Sequence, residues 1–295
     1  MADQFDVIEA GEKGRRRWIG IVVLVAVLAV PVVGLLASRA PEAEPPARPT
    51  AHPAPSLTTL RSAPNVLHAK ARAKGADEVI QVVFPHGLRA DVRYPAELGL
   101  DDLGSRPFVG LWIAGGEFSQ YRQLTAPYGG DIEVTRGEKP LRSFTGNVTL
   151  WPRPPGAGLV GQVMLFAFGP WRMAMYDRPT GMRFEQRMEL ATSLKGTVTK
   201  DGYLVLKSSG RIRLAAPGDG RRSDPVGPQL LFGGGSSDML ALVPTPGCAL
   251  PEVPSAMGAR GRHTESVCMG DFMVAASGSR EFVRTAVSKI RITVK

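Results

Sequence analysis

The chain has 295 residues, enough for one large domain or two small ones. Hydrophobic residues make up 43% and charged residues 21%, which excludes an intrinsically disordered chain. The net charge is +9 at a pI of about 9.9, and the acids of the N-terminal tail cancel its bases, so almost all the excess lies further along.

Residues 1–17 set Asp3, Asp6, Glu9 and Glu12 against Lys13, Arg15, Arg16 and Arg17. Trp18–Ala37 then reads WIGIVVLVAVLAVPVVGLLA with no charge. At about 1.5 Å per residue this run covers about 30 Å, the hydrocarbon thickness of a bilayer. In lipid only a helix satisfies every backbone group of a lone segment, so residues 18–38 are expected to be a transmembrane helix. Pro31 is expected to kink it, and Trp18 suits the interface. The basic flank at 13–17 places residues 1–17 in the cytoplasm and the rest outside. Ser38-Arg39-Ala40 offers a signal-peptidase pattern, but Pro41 would follow the cut and the apolar run exceeds the usual ~7–15 residues, so the run is read as an uncleaved signal-anchor. No cysteine follows it to carry a lipid.

Residues 39–76 are expected to be a largely disordered stalk. Pro41, Pro45, Pro46, Pro49, Pro53, Pro55 and Pro64 favour extended polyproline II, which builds no core. Val66–Ala76 is expected to be a short helix or disordered.

Residues 77–295 are expected to form the extracytoplasmic domain. Glu78–Phe84 and Leu88–Tyr94 read as strands around a Pro85-His86-Gly87 turn, and Ala90, Val92 and Tyr94 alternate with charged residues. Further expected strands are Phe108–Ala114, Asp131–Val134, Asn147–Trp151, Leu159–Phe168 and Trp171–Tyr176. A helix is expected over Thr180–Gly196, with Phe184, Met188, Ala191 and Leu194 on one face, Thr180 capping its start and Gly196 ending it. Thr197–Thr199 and Tyr203–Leu206 flank a Lys200-Asp201-Gly202 hairpin turn. Strands over Arg211–Leu214, Leu230–Phe232, Met239–Val243, Phe272–Ala275 and Lys289–Val294, and a helix over Arg280–Val287, complete the series. Many short strands with few helices and no βαβ alternation define an α+β fold dominated by antiparallel sheet.

Cys248 and Cys268 both fall on the side placed outside, where disulfides persist, and a bridge would tie down a loop with little periodicity. Two cysteines without matching histidines make no zinc site, and no metal or cofactor is expected.

Catalytic signatures do not assemble. His52 and His68 fall in the stalk and lead-in, His86 in a turn and His263 inside the cysteine loop, and no Gly-x-Ser-x-Gly elbow occurs. Thr192-Ser193-Leu194-Lys195 has Thr where a penicillin-binding motif needs Ser. Carboxylate candidates for acid–base work are Asp101 with Asp102, Glu117, Asp131 with Glu133 on a shared strand face, and Asp177. Gly233-Gly234-Gly235-Ser236-Ser237 lacks the ending of a phosphate loop and reads as a flexible hairpin end. Trp112 is expected in the core, with Trp151 and Trp171 more open. Arg211, Arg213, Arg221 and Arg222 form the densest basic stretch, without the interleaved aromatics of a nucleic-acid platform.

The expected protein is therefore a single-pass, membrane-anchored envelope protein without enzymatic activity. Its basic outer domain is suited to an anionic cell-wall polymer or an envelope protein. Two alternatives stay open: an envelope hydrolase or transferase with an unrecognised site, and an accessory subunit of a membrane complex engaged through Trp18–Ala37.

Overall fold

The structure is a computed structural model that describes residues 65–114, 120–156, 158–222, 224–234, 238–249, 251–257 and 262–295. The expected membrane run and residues 39–64 of the stalk lie outside the described residues. Among the described residues no helix is long and apolar enough to cross a membrane.

In chain order the elements begin with β1 (Arg72–Lys74), β2 (Asp77–Val83), β3 (Arg89–Pro95), α1 (Leu100–Leu103), β4 (Ser105–Ile113), β5 (Gln120–Thr125) and α2 (Ile132–Thr135). There follow β6 (Arg142–Thr145), β7 (Val148–Trp151), β8 (Val163–Phe168), β9 (Trp171–Tyr176) and α3 (Phe184–Ser193). Next come β10 (Lys195–Val198), β11 (Leu204–Lys207), β12 (Ile212–Leu214), β13 (Gly220–Arg221), β14 (Asp224–Pro225) and β15 (Gln229–Gly233). The chain closes with β16 (Met239–Pro244), β17 (His263–Met269), β18 (Phe272–Gly278), α4 (Arg280–Lys289) and β19 (Arg291–Val294).

Antiparallel sheet dominates, as the short alternating strands imply. An 11-stranded sheet runs β17-β18-β16-β15-β4-β5-β9-β8-β7-β6, with β12 also on β4. A 4-stranded sheet runs β1-β2-β3-β19. β4 is long enough to hold two partners in tandem on one edge: Ser105–Phe108 pairs with β15, and Leu111–Ile113 pairs with β12.

Two cores lie on one side of the large sheet. Ile80, Val82 and Phe84 from β2 and its turn meet Leu240, Leu242, Val274 and Phe282, so the small sheet and α4 cover β15, β16 and β18. Leu111, Leu124, Met164, Phe166 and Met173 meet Leu190, Leu204 and Leu206, so α3 and the β10–β11 hairpin cover the other half. Smaller clusters occupy the opposite face: Phe108, Leu231, Met239, Val243 and Met257 at one end, and Val134, Trp151, Val163, Leu165 and Ala174 at the other. Strands covered on both faces read as continuous apolar runs, which is why all six residues of β16 are buried.

Several local expectations change. Val66–Ala76 is neither helix nor disorder: Leu67 bridges to Ser105, and β1 finds its partner in β2. Asn65 is fully buried, donating Nδ2 to Pro127 O at 3.0 Å and Arg172 O at 2.8 Å and accepting Arg172 N at 2.6 Å. Asp131–Val134 is not a strand. The Val134 and Thr135 amides close back onto Asp131 O and form α2, which leaves Ile132 exposed and Val134 buried. Thr180 does not cap α3, because the Asp177 carboxylate accepts the Met182 amide and Arg183 becomes the N-cap. The helix buries Leu190 and Ala191, but Phe184 is 47% exposed. Gly196 does not end the helix; it lies in β10 opposite Leu206, where a Cβ would fall within the Phe168 ring.

The C-terminal part of the cysteine loop is regular strand, which its composition does not imply. Cys268 sits in β17, whose seven residues all pair with β18, and it is bonded to Cys248 across 20 positions. The bridge confirms the expected pairing.

Candidate functional site

The described histidines do not converge. His68 Nδ1 lies 2.9 Å from Asp101 O, His86 packs against Phe84 in its exposed turn, and His263 Nε2 lies 2.8 Å from Glu265 Oε1. His52 and Glu117 lie outside the described residues. Asp101 and Asp102 belong to the single turn of α1. Asp131 and Glu133 line different depressions, so the expected shared face is not formed.

Among the described acid–base candidates, Asp177 is the best satisfied. Its side chain is 1% exposed and sits between Arg122 and Arg187. Oδ1 accepts Arg122 Nε and the Arg178 amide, each at 2.8 Å, and Oδ2 accepts the Met182 amide at 2.6 Å and Arg187 Nη2 at 3.2 Å. With every lone pair engaged it joins β5, β9 and the lead into α3, and it has no capacity left for a substrate.

The tryptophans reverse expectation. Trp151 and Trp171 are buried, and their indole N–H groups reach Thr149 Oγ1 and Gly202 O. Trp112 is only half-buried; its ring centroid is 5.1 Å from that of Tyr121, with Arg213 above Trp112 and Arg221 above Tyr121. The aromatics missing from the basic stretch are thus supplied by β4 and β5. Acids hold two arginines of the stretch: Arg213 pairs with Asp219 at 2.8 Å, and Arg211 with Glu189 at 3.3 Å.

The feature with the most chemistry is a groove of about 450 Å³ on the outer face of the large sheet. It lies between the two smaller apolar clusters. Arg106 in β4 forms its floor, since alternation puts it on the same face as Phe108 and opposite Leu231 of β15. The segment after β5 contributes Tyr128, and α2 contributes Glu133. Met257 and Arg262 form another wall from the loop closed by Cys248–Cys268.

Arg106 is 7% exposed. Nη1 donates to Ala126 O at 2.8 Å and Nη2 to Gly233 O at 3.1 Å, while Nε has no partner. Its guanidinium lies 5.4 Å from the centroid of the Tyr128 ring. Gly234 permits this stack, because a Cβ there would sit 2.8 Å from the ring and 3.1 Å from Nη2. Burial pulls the Arg106 pKa down, and the Glu133 charge acts in the opposite sense. Burial, aided by Glu133, pushes the Tyr176 phenol at the groove up to about 12.

Sequence reasoning missed Arg106, because the expected strand began at Phe108. A charged residue two positions ahead of Phe108, on the face that Phe108 buries, was the available signal.

Comparison with known proteins identifies no matching family model, and neither the curated proteins nor the solved structures include a significant match.

Proposed function

We propose that the chain is a single-pass membrane protein with residues 1–17 in the cytoplasm, whose outer domain is a binding module that engages an envelope ligand through the Arg106 groove. The observation that carries this reading is the Cys248–Cys268 bridge, which closes the loop supplying Met257 and Arg262 to the groove. A disulfide persists on the oxidising side of a membrane, so groove and compartment are tied together. The charge-free run at 18–37 supplies the anchor, and the proline-rich segment after it supplies reach.

Topology is tested in intact cells. Mild external reduction followed by a membrane-impermeant maleimide should label Cys248 and Cys268 without lysis. Labelling only after lysis would place the domain in the cytoplasm and end the reading. Binding is tested by retaining the full chain on isolated envelope fractions at low salt, and no retention would remove the envelope ligand.

A further inference from the structure

We propose that the Arg106 groove takes a monoanionic carboxylate ligand with an apolar body, and that Arg106 recognises the carboxylate. This rests on the groove being a binding site and adds the chemical class of its ligand.

Arg106 carries a buried charge with an unpartnered Nε, and none of the ion pairs among the described residues includes it. Glu133 is close enough to act on it electrostatically but does not pair with it. Burying a guanidinium without a counter-ion is costly, and an anion in the groove removes that cost. Carbonyls engage one N–H on each terminal nitrogen, and Nε is shielded from solvent, which leaves the second N–H of Nη1 and of Nη2 as the pair of donors for a carboxylate.

The charges of the groove set the ligand's charge. Arg106 is one buried charge that no carboxylate pairs with, and Glu133 adds a negative charge at the rim. A monoanion balances Arg106; a phosphate dianion would meet the Glu133 carboxylate. The remaining walls favour an apolar body, since Tyr128 presents a ring and Met239 and Met257 are polarisable and unbranched. The volume of about 450 Å³ lies in the range of small-molecule sites.

The test uses the full chain in lipid nanodiscs, with empty nanodiscs as the blank, and calorimetric titration of N-acetylphenylalanine, its amide and phenyl phosphate. The acid is expected to bind, with the amide and the phosphate ester each weaker by about tenfold, the size of one lost charge-assisted contact. Arg106→Lys should weaken the acid by about tenfold, because an ammonium cannot reproduce the planar fork. Glu133→Gln should tighten it by about threefold by removing a nearby like charge, and the glutamine oxygen still accepts the Gly129 amide. Equal binding of acid and amide, preference for phenyl phosphate, weaker binding in Glu133→Gln, or no binding at about 20 mM acid would each overturn the proposal. If Arg106→Lys does not fold, the Glu133→Gln arm decides alone. Binding to purified protein does not depend on membrane topology, so this failure and a failure of the topology reading are separate results.

Discussion

Replacing Asp177 by alanine should unsettle the fold more than any exposed substitution, and the structure shows by what route. The change strands Arg122, whose side chain is 4% exposed, and half-strands Arg187, which is 13% exposed and keeps Gln162 Oε1 at 2.6 Å. It also opens the Arg178 and Met182 amides. Breaking a buried pair from one side costs about 3–5 kcal/mol, and the opened amides lie within the same network, so about 4 kcal/mol is expected in all. For a chain of this size about 1 kcal/mol moves the melting temperature by about 2–4 °C, so the loss should be about 8–16 °C. The assay is thermal unfolding of the full chain by circular dichroism with the disulfide intact. Adding Arg122→Met to Asp177→Ala should recover part of the loss, because the stranded charge is then gone. A shift below about 3 °C, or additive losses in the double variant, would refute a charge-compensated node.

Asn65→Ala should cost about 2–3 kcal/mol in urea unfolding, since it leaves the Pro127 and Arg172 carbonyls and the Arg172 amide unpaired; a loss under about 0.5 kcal/mol would show that the lead-in does not fasten the sheet. Cys248→Ser should cost about 3 kcal/mol, the loop-closure value for a separation of 20, and an unchanged urea midpoint would remove the staple. Gly196→Val should cost about 1–3 kcal/mol by displacing the Phe168 ring, and wild-type stability would contradict that packing. Burial pushes the phenols of Tyr121 and Tyr176 up to about 12, against an ordinary value of about 10. Their contribution to stability is therefore full below pH ~10 and lost as pH rises towards ~12, so stability measured by urea unfolding should fall across that window and not stay flat.

Legibility followed burial. β3 was readable because one face is buried and one is wet, which prints alternation into Arg89–Tyr94. β8 and β16 were readable for the opposite reason, since cover on both faces makes them continuous apolar runs. β17 was not readable, because its side chains are exposed or half-buried and backbone pairing with β18 holds it. Only Cys268 marked the place. β6 is a similar edge strand, with Arg142 and Ser143 exposed. Asp131–Val134 misled because Ile132 and Val134 alternate as a strand would, while the chain had just left β5 through a turn and closed one helical turn instead.

Two further misses share one cause, and it bears on function. A hydropathy reading assigns every arginine to solvent, so Arg122 concealed β5 and Arg106 concealed the start of β4. Both side chains are buried in the same sheet, on adjacent strands. The chain treats them differently. Arg122 receives a carboxylate from Asp177, placed by β9 and held by two amides, at 2.8 Å. Arg106 receives two carbonyl oxygens and an aromatic face, with Glu133 outside pairing distance. The fold is thus able to build a counter-ion into this sheet and has done so one strand away. It has left the second guanidinium without one, on the floor of an open groove, and that contrast is what the proposed carboxylate ligand accounts for.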